Sequence, residues 1–172
     1  MKKRALLSLV LILALLAALY LWYTRPISLR QALPQLDWNQ ITACYTVLVP
    51  TNTNNAIEDV EIPLDGSGYS QLWDLLNNEK FSRQVGPVSD AQRITLEPQY
   101  AHLSFRQSET LITLTFYGPQ VIAEVSTPTG SRGMALRPQG GEEFQASVVD
   151  LLASLAREQR DIKPVPNQKE EC

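Results

Sequence analysis

Three consecutive runs decide the fold: HLSFRQ at residues 102–107, LITLTFY at 111–117 and VIAEVS at 121–126. Each alternates or runs apolar with β-branched and aromatic residues, the pattern of a strand with one face buried. The breaks at Gln107 to Glu109 and at Gly118-Pro119 join them into an antiparallel meander. Thr127 to Gly133 is a further turn rich in Pro, Gly and hydroxyls, after which Gly133 to Arg137 adds a fourth strand. Beyond it Phe144, Val148, Leu151, Leu152 and Leu155 recur at helical spacing. Glu142 and Glu143 at the start of this helix and Arg157 and Arg160 near its end both suit the helix dipole.

Upstream of the meander, Gln40 to Val49 is rich in Ile, Thr, Tyr and Val and reads as a strand. An Asn-rich turn over Thr51 to Asn55 leads to Ile57, Val60 and Ile62, so these two strands form a hairpin. Asp65-Gly66-Ser67-Gly68 breaks the pattern. Ser67 is placed to cap a helix whose apolar stripe is Leu72, Leu75 and Leu76 and which ends near Glu79. Gln84 to Gln99, with Pro87 and Pro98, reads as a long loop carrying one short strand at Ile94 to Leu96. The expected architecture is α+β: a two-layer domain over residues 40–160, with an antiparallel sheet of about five to six strands and two amphipathic helices on one face.

The N-terminus has a different character. After Met1-Lys2-Lys3-Arg4, residues 5–23 carry no charge, and nine of them are Leu. Nineteen helical residues span roughly 28 Å, close to the thickness of a hydrocarbon core. Leucines favour insertion by roughly 0.3 to 0.6 kcal/mol each near the centre of the span. Tyr20, Trp22 and Tyr23 cluster at the distal end, where amphipathic rings settle at headgroup level. The three leading cations belong in the cytoplasm by the positive-inside rule, so residues 1–4 are expected inside, 5–23 in the bilayer and the rest on the extracytoplasmic side. A cleaved secretory signal is the alternative, although Ala14, Ala17 and Ala18 form no A-x-A site and the apolar run continues past them. Residues 24–39, with Leu29, Leu33, Pro34 and Leu36, read as a juxtamembrane linker holding a short helix that stops at Leu33. Residues 161–172, with Pro164 and Pro166 and no apolar periodicity, read as a disordered tail.

The portion beyond the span carries all 18 acidic residues against 12 of the 15 Lys and Arg, a balance that argues against nucleic acid as a partner. Chemistry-bearing patterns are sparse. Glu58-Asp59, Glu61 and Asp65-Gly66 lack the alternating ligands and twelfth-position Glu of a calcium loop, so no metal is expected there. Ser67 and Ser131 stand beside glycines outside any G-x-S-x-G elbow, and His102 is the single histidine. A hydrolase would therefore need His102 beside a Ser or carboxylate in space. Cys44 and Cys172 are too few for a disulfide framework and read as two thiols, with a bridge as the alternative. No cofactor pattern is present. Tyr100 and Tyr117, and Arg132 in the hydroxyl-bearing turn from Ser126, are the candidate partner contacts.

The layout of a basic start, one apolar helix, Leu33-Pro34, two strands, the Leu72/Leu75/Leu76 helix and a sheet carrying Leu103, Phe105, Leu114 and Phe116 resembles the small membrane-tethered proteins and lipoproteins of Gram-positive bacteria. This chain departs from the lipoproteins in having no lipidation cysteine after the span. The resemblance implies a place in the bacterial envelope and carries no activity with it. The expected function is non-enzymatic: a tethered domain binding an envelope protein, a peptide or a wall component. A ligand-sensing ectodomain, with an apolar cavity between sheet and helices, and a hydrolase are the alternatives.

Overall fold

The computed structural model describes residues 2–49, 58–85, 100–117 and 119–162. In chain order the elements are α1 (Lys2–Thr24), β1 (Ile27–Ser28), α2 (Leu29–Ala32), β2 (Ala43–Val49), β3 (Glu58–Glu61), α3 (Ser67–Asn78), β4 (Lys80–Arg83), β5 (Tyr100–Gln107), β6 (Thr110–Tyr117), β7 (Gln120–Thr127), β8 (Gly130–Pro138) and α4 (Gly141–Ile162). A 3-10 turn over Trp38–Gln40 precedes β2. The fold is α+β. All strands join one antiparallel sheet in the order β1-β4-β8-β7-β6-β5-β2-β3.

Eight strands replace the expected five to six, and both additions explain themselves. β1 has two residues and β4 has four, too short for an alternation to show in sequence. They exist because they pair: Ile27 lies opposite Phe81, and Phe81 opposite Pro138, which extends the sheet past β8. The chain after α3 is therefore a strand before any loop begins. The short strand expected at Ile94 to Leu96, the turn at Thr51 to Asn55 and the end of the tail from Lys163 lie outside the described residues.

Residues 27–36, read as part of a linker, belong to the domain core. Leu29, Leu33 and Leu36 are each 2% exposed or less, with Ile27 and Ala32 nearly as buried. A capping box starts the short helix: the Gln31 amide N–H donates to Ser28 Oγ at 3.3 Å, and the Ser28 N–H donates to Gln31 Oε1 at 3.1 Å. Trp38 follows, with its ring centroid 3.8 Å from Trp73 and 4.9 Å from Phe105, so the segment is clamped between α3 and the sheet. Ser67 is another correction. It is the first residue of α3, Gly66 occupies the cap position, and no side chain caps the helix.

The meander falls where the alternation places it. Leu103 and Phe105 on β5, Ile112, Leu114 and Phe116 on β6, and Val121, Ala123 and Val125 on β7 are buried on one face. Leu72 and Leu76 of α3 and Phe144, Val148 and Leu152 of α4 join them in one core. Phe81 and Phe116 both meet the Phe144 ring, at 5.8 and 6.3 Å between centroids. Gly68 lies where α3 meets α4, and a methyl group there would run into the Leu155 side chain. This layer of large apolar side chains holds the sheet to the helices and is the main stabilising feature of the fold.

The other face carries His102, Ser104 and Arg106 of β5, Thr113 and Thr115 of β6 and Glu124 of β7, together with the apolar Leu111, Ile122 and Ala135, the last two buried. Most are half-buried or exposed. β3, with the sequence EDVE, forms one edge of the sheet. Three acidic residues in four discourage a second chain from pairing there.

Candidate functional site

The site with the clearest geometry is a cavity of about 620 Å³ where α1 meets the domain. Alternation along β7 and β8 builds its floor. Val125 pairs with Arg132 and Ala123 with Met134, so Val125, Met134 and Arg132 share the helix-bearing face. At this end of the sheet α3 and α4 no longer cover that face, and α2 with Pro34 and Gln35 forms a side wall instead. Arg83 enters from β4, and Thr127, Thr129, Gly130 and Ser131 of the β7–β8 hairpin make the rim. Gly130 has φ of 152°, which the hairpin requires and glycine supplies without strain. Tyr23, from the last turn of α1, closes the side where the apolar helix enters.

Arg83 is held in place. Its Nη2 donates to the Gln31 carbonyl at 3.2 Å, and its guanidinium lies 5.6 Å from the Tyr23 ring centroid. Arg132 is exposed and makes no ion pair with a described residue. Among the described residues the lining contains two guanidiniums and no carboxylate. Thr127 Oγ1 donates to the Gly130 carbonyl at 3.0 Å and lies 3.2 Å from Thr129 Oγ1, which orders the hydroxyl rim. The site can therefore accept a negatively charged, hydrogen-bond-accepting group over an apolar floor.

Of the residues singled out in the sequence, Arg132 lines this cavity. Tyr100 and Tyr117 occupy the ends of β5 and β6, in register with Val49 and Gln120 respectively. Arg132 stands in register with Val125, itself opposite Ile112. Tyr117 is five residues from Ile112 along β6, about 17 Å at strand rise, so the structure does not gather the three contacts into one place. Sequence reasoning does not single out Arg83 or Gln31, and it marks Tyr23 only as an interfacial ring of the apolar span. The capping box S-x-x-Q at residues 28–31 was a usable signal for α2. Nothing local announced Arg83, because only the pairing of β4 with β8 carries it to the cavity.

His102 lies mid-sheet on the open face, with Nδ1 2.9 Å from Thr115 Oγ1. One row away Ser104 Oγ lies 3.3 Å from Thr113 Oγ1. Cys44 is a free thiol with no exposed surface, and burial pushes its pKa up to about 12. Tyr69 is also pushed up to about 12, first by burial and then by the neighbouring Cys44. A buried thiol held in its protonated form is a poor nucleophile. No group of three His, Cys, Asp or Glu among the described residues could hold a metal ion.

One helix, over Leu7–Thr24, is long and apolar enough to cross a membrane, and none of it is buried against the domain. Leu7 is 72% exposed and Leu11 71%, and the large apolar residues from Leu7 to Tyr23 are all exposed. No protein family, curated protein or solved structure matches the chain.

Proposed function

We propose that this chain is a membrane-tethered domain acting on the extracytoplasmic side of a bacterial envelope, where it binds a partner without catalysing a reaction. The observation that carries this reading is the junction of α1 with the domain. An apolar helix with none of Leu7–Thr24 buried runs within two residues into β1, and Tyr23 in its last turn lies beside the Arg83 guanidinium. That short connection keeps the cavity beside the helix end, and the basic start at Lys2-Lys3-Arg4 argues that the domain is translocated.

The space between sheet and helices is filled by Phe81, Phe105, Phe116, Leu72 and Leu76, each without exposed surface. A sensing role of the kind expected from the sequence, with a ligand enclosed beneath the sheet, has no support from that packing. The 620 Å³ cavity at the edge is the place where binding is favoured.

Photo-crosslinking in living bacteria tests the reading. A photoreactive residue at Thr129 or Arg132 should give a discrete set of adducts with envelope components, while one at the exposed Asp150 of α4 should give none. Equal labelling from all three positions would reject the cavity as the binding surface. Turnover of an envelope substrate, abolished by a cavity substitution, would reject the non-enzymatic reading.

A further inference from the structure

We propose that the juxtamembrane cavity holds the phosphate of a phospholipid headgroup from the leaflet that the distal end of α1 enters, with Arg83 and Arg132 as its ligands. This inference rests on reading α1 as a membrane helix and adds to that reading the chemical class of the ligand. The first observation is charge. Beyond the span, acidic residues outnumber Lys and Arg by 18 to 12, yet among the described residues the cavity is lined by two arginines and no acid. Guanidinium forks match phosphate oxygens in geometry and retain their charge at every relevant pH.

Position is the second observation. Tyr23 forms part of the wall, and Arg25 lies over the Trp22 ring at 5.4 Å, so the aromatic belt of α1 and the cavity share one level. Aromatic belts settle among the headgroups, the level at which phospholipids carry their phosphates.

The cavity's composition is the third. Behind the cations lie Ala32, Pro34, Val125 and Met134, an apolar floor that suits the glycerol and first methylenes of a lipid better than a free inorganic ion. The hydroxyls of Thr127, Thr129 and Ser131 on the rim supply donors for the remaining phosphate oxygens or for a headgroup alcohol. Arg83 is already oriented by the Gln31 carbonyl and the Tyr23 ring, which lowers the ordering cost of binding.

The test uses the full chain in dodecyl maltoside micelles, a detergent without phosphate, with binding read by native mass spectrometry and by the thermal midpoint. Three probes are titrated: short-chain phosphatidylglycerol, a neutral glycolipid with the same acyl chains, and glycerol 3-phosphate. Phosphatidylglycerol should bind saturably and raise the midpoint, the glycolipid should not, and glycerol 3-phosphate should bind at least about tenfold more weakly. The pair Arg83→Gln with Arg132→Gln should weaken phosphatidylglycerol binding by about tenfold or more. Arg137→Gln, on the other face of β8, should change nothing. Arg132→Gln alone, at an exposed position, keeps the test valid if the double variant folds poorly, and it should also weaken binding. Equal binding of the glycolipid, or wild-type binding by the Arg132 and double variants, would overturn the proposal. Equal binding of glycerol 3-phosphate would reassign the site to a soluble phosphate and overturn the lipid assignment. Carbonate extraction of the same variants from membranes reports insertion of α1 separately, so a failure of the anchor reading is distinguished from a failure of the site.

Discussion

Along the middle of β5 and β6 the two faces are made by the same strands and have contrasting chemistry, although Ile122 of β7 and Ala135 of β8 are buried on the open face. On β5 and β6 the helix-bearing face carries Leu103, Phe105, Ile112, Leu114 and Phe116, all without exposed surface. The residues between them are His102, Ser104, Thr113 and Thr115, joined across the strands by hydroxyl and imidazole contacts of 2.9 and 3.3 Å. The difference teaches where stability lies. One face supplies the burial energy that holds α3 and α4, while the other supplies cross-strand pairs worth only tenths of a kcal/mol each. Binding is then expected where neither description holds, at the uncovered end of the helix-bearing face occupied by the cavity.

The largest effect that could break this contrast is a truncation on the covered face. Phe105→Ala should cost about 3 to 5 kcal/mol, read as a shift in the urea midpoint, because Phe105 is fully buried and also supports Trp38. A cost below about 1 kcal/mol would mean that this face is not the core.

Next comes alkali. Cys44 has its pKa raised from 9.0 to about 12 by burial, so the folded state holds the proton more tightly than the unfolded state. The stability this supplies is fully present below about pH 9 and is lost as pH rises toward about 12, at up to about 1.4 kcal/mol per pH unit. Tyr69 acts in the same direction. Cys44→Ala should therefore flatten the fall in the urea midpoint over that window without abolishing it. An unchanged slope would place the thiol in water.

Two smaller effects sharpen the contrast. Ser108 sits at φ 53° in the two-residue turn joining β5 to β6, a conformation unfavourable for any residue with a Cβ. Ser108→Gly should raise stability by about 0.5 to 1 kcal/mol, visible as a higher thermal midpoint. Thr113→Ala, on the open face, should stay within about 0.5 to 1 kcal/mol of wild type. A loss approaching that of Phe105→Ala would show that the open face around Thr113 belongs to the core.

Much of this was legible beforehand, for identifiable reasons. β5, β6 and β7 are eight residues long, enough for alternation to show, and the stripe in α4 recurs over several turns. β1 and β4 were invisible because neither is stable without its neighbour, and the burial of Leu29, Leu33 and Leu36 was masked by proximity to the apolar helix. The cavity was legible only at Arg132, which stood out in a hairpin tip rich in hydroxyls. Arg83 reaches it through sheet order, and Tyr23 through the path of the chain between α1 and β1. Contacts of that kind depend on which strands become neighbours, and no local pattern of residues encodes them.

The most direct test of the account is the side of the membrane on which the domain lies. With an epitope tag at each end of the chain, protease added to intact spheroplasts should destroy the C-terminal tag and spare the N-terminal one, and both should be lost after detergent lysis. Survival of the C-terminal tag in intact spheroplasts, with digestion on lysis, would contradict the extracytoplasmic placement on which the proposed binding role depends.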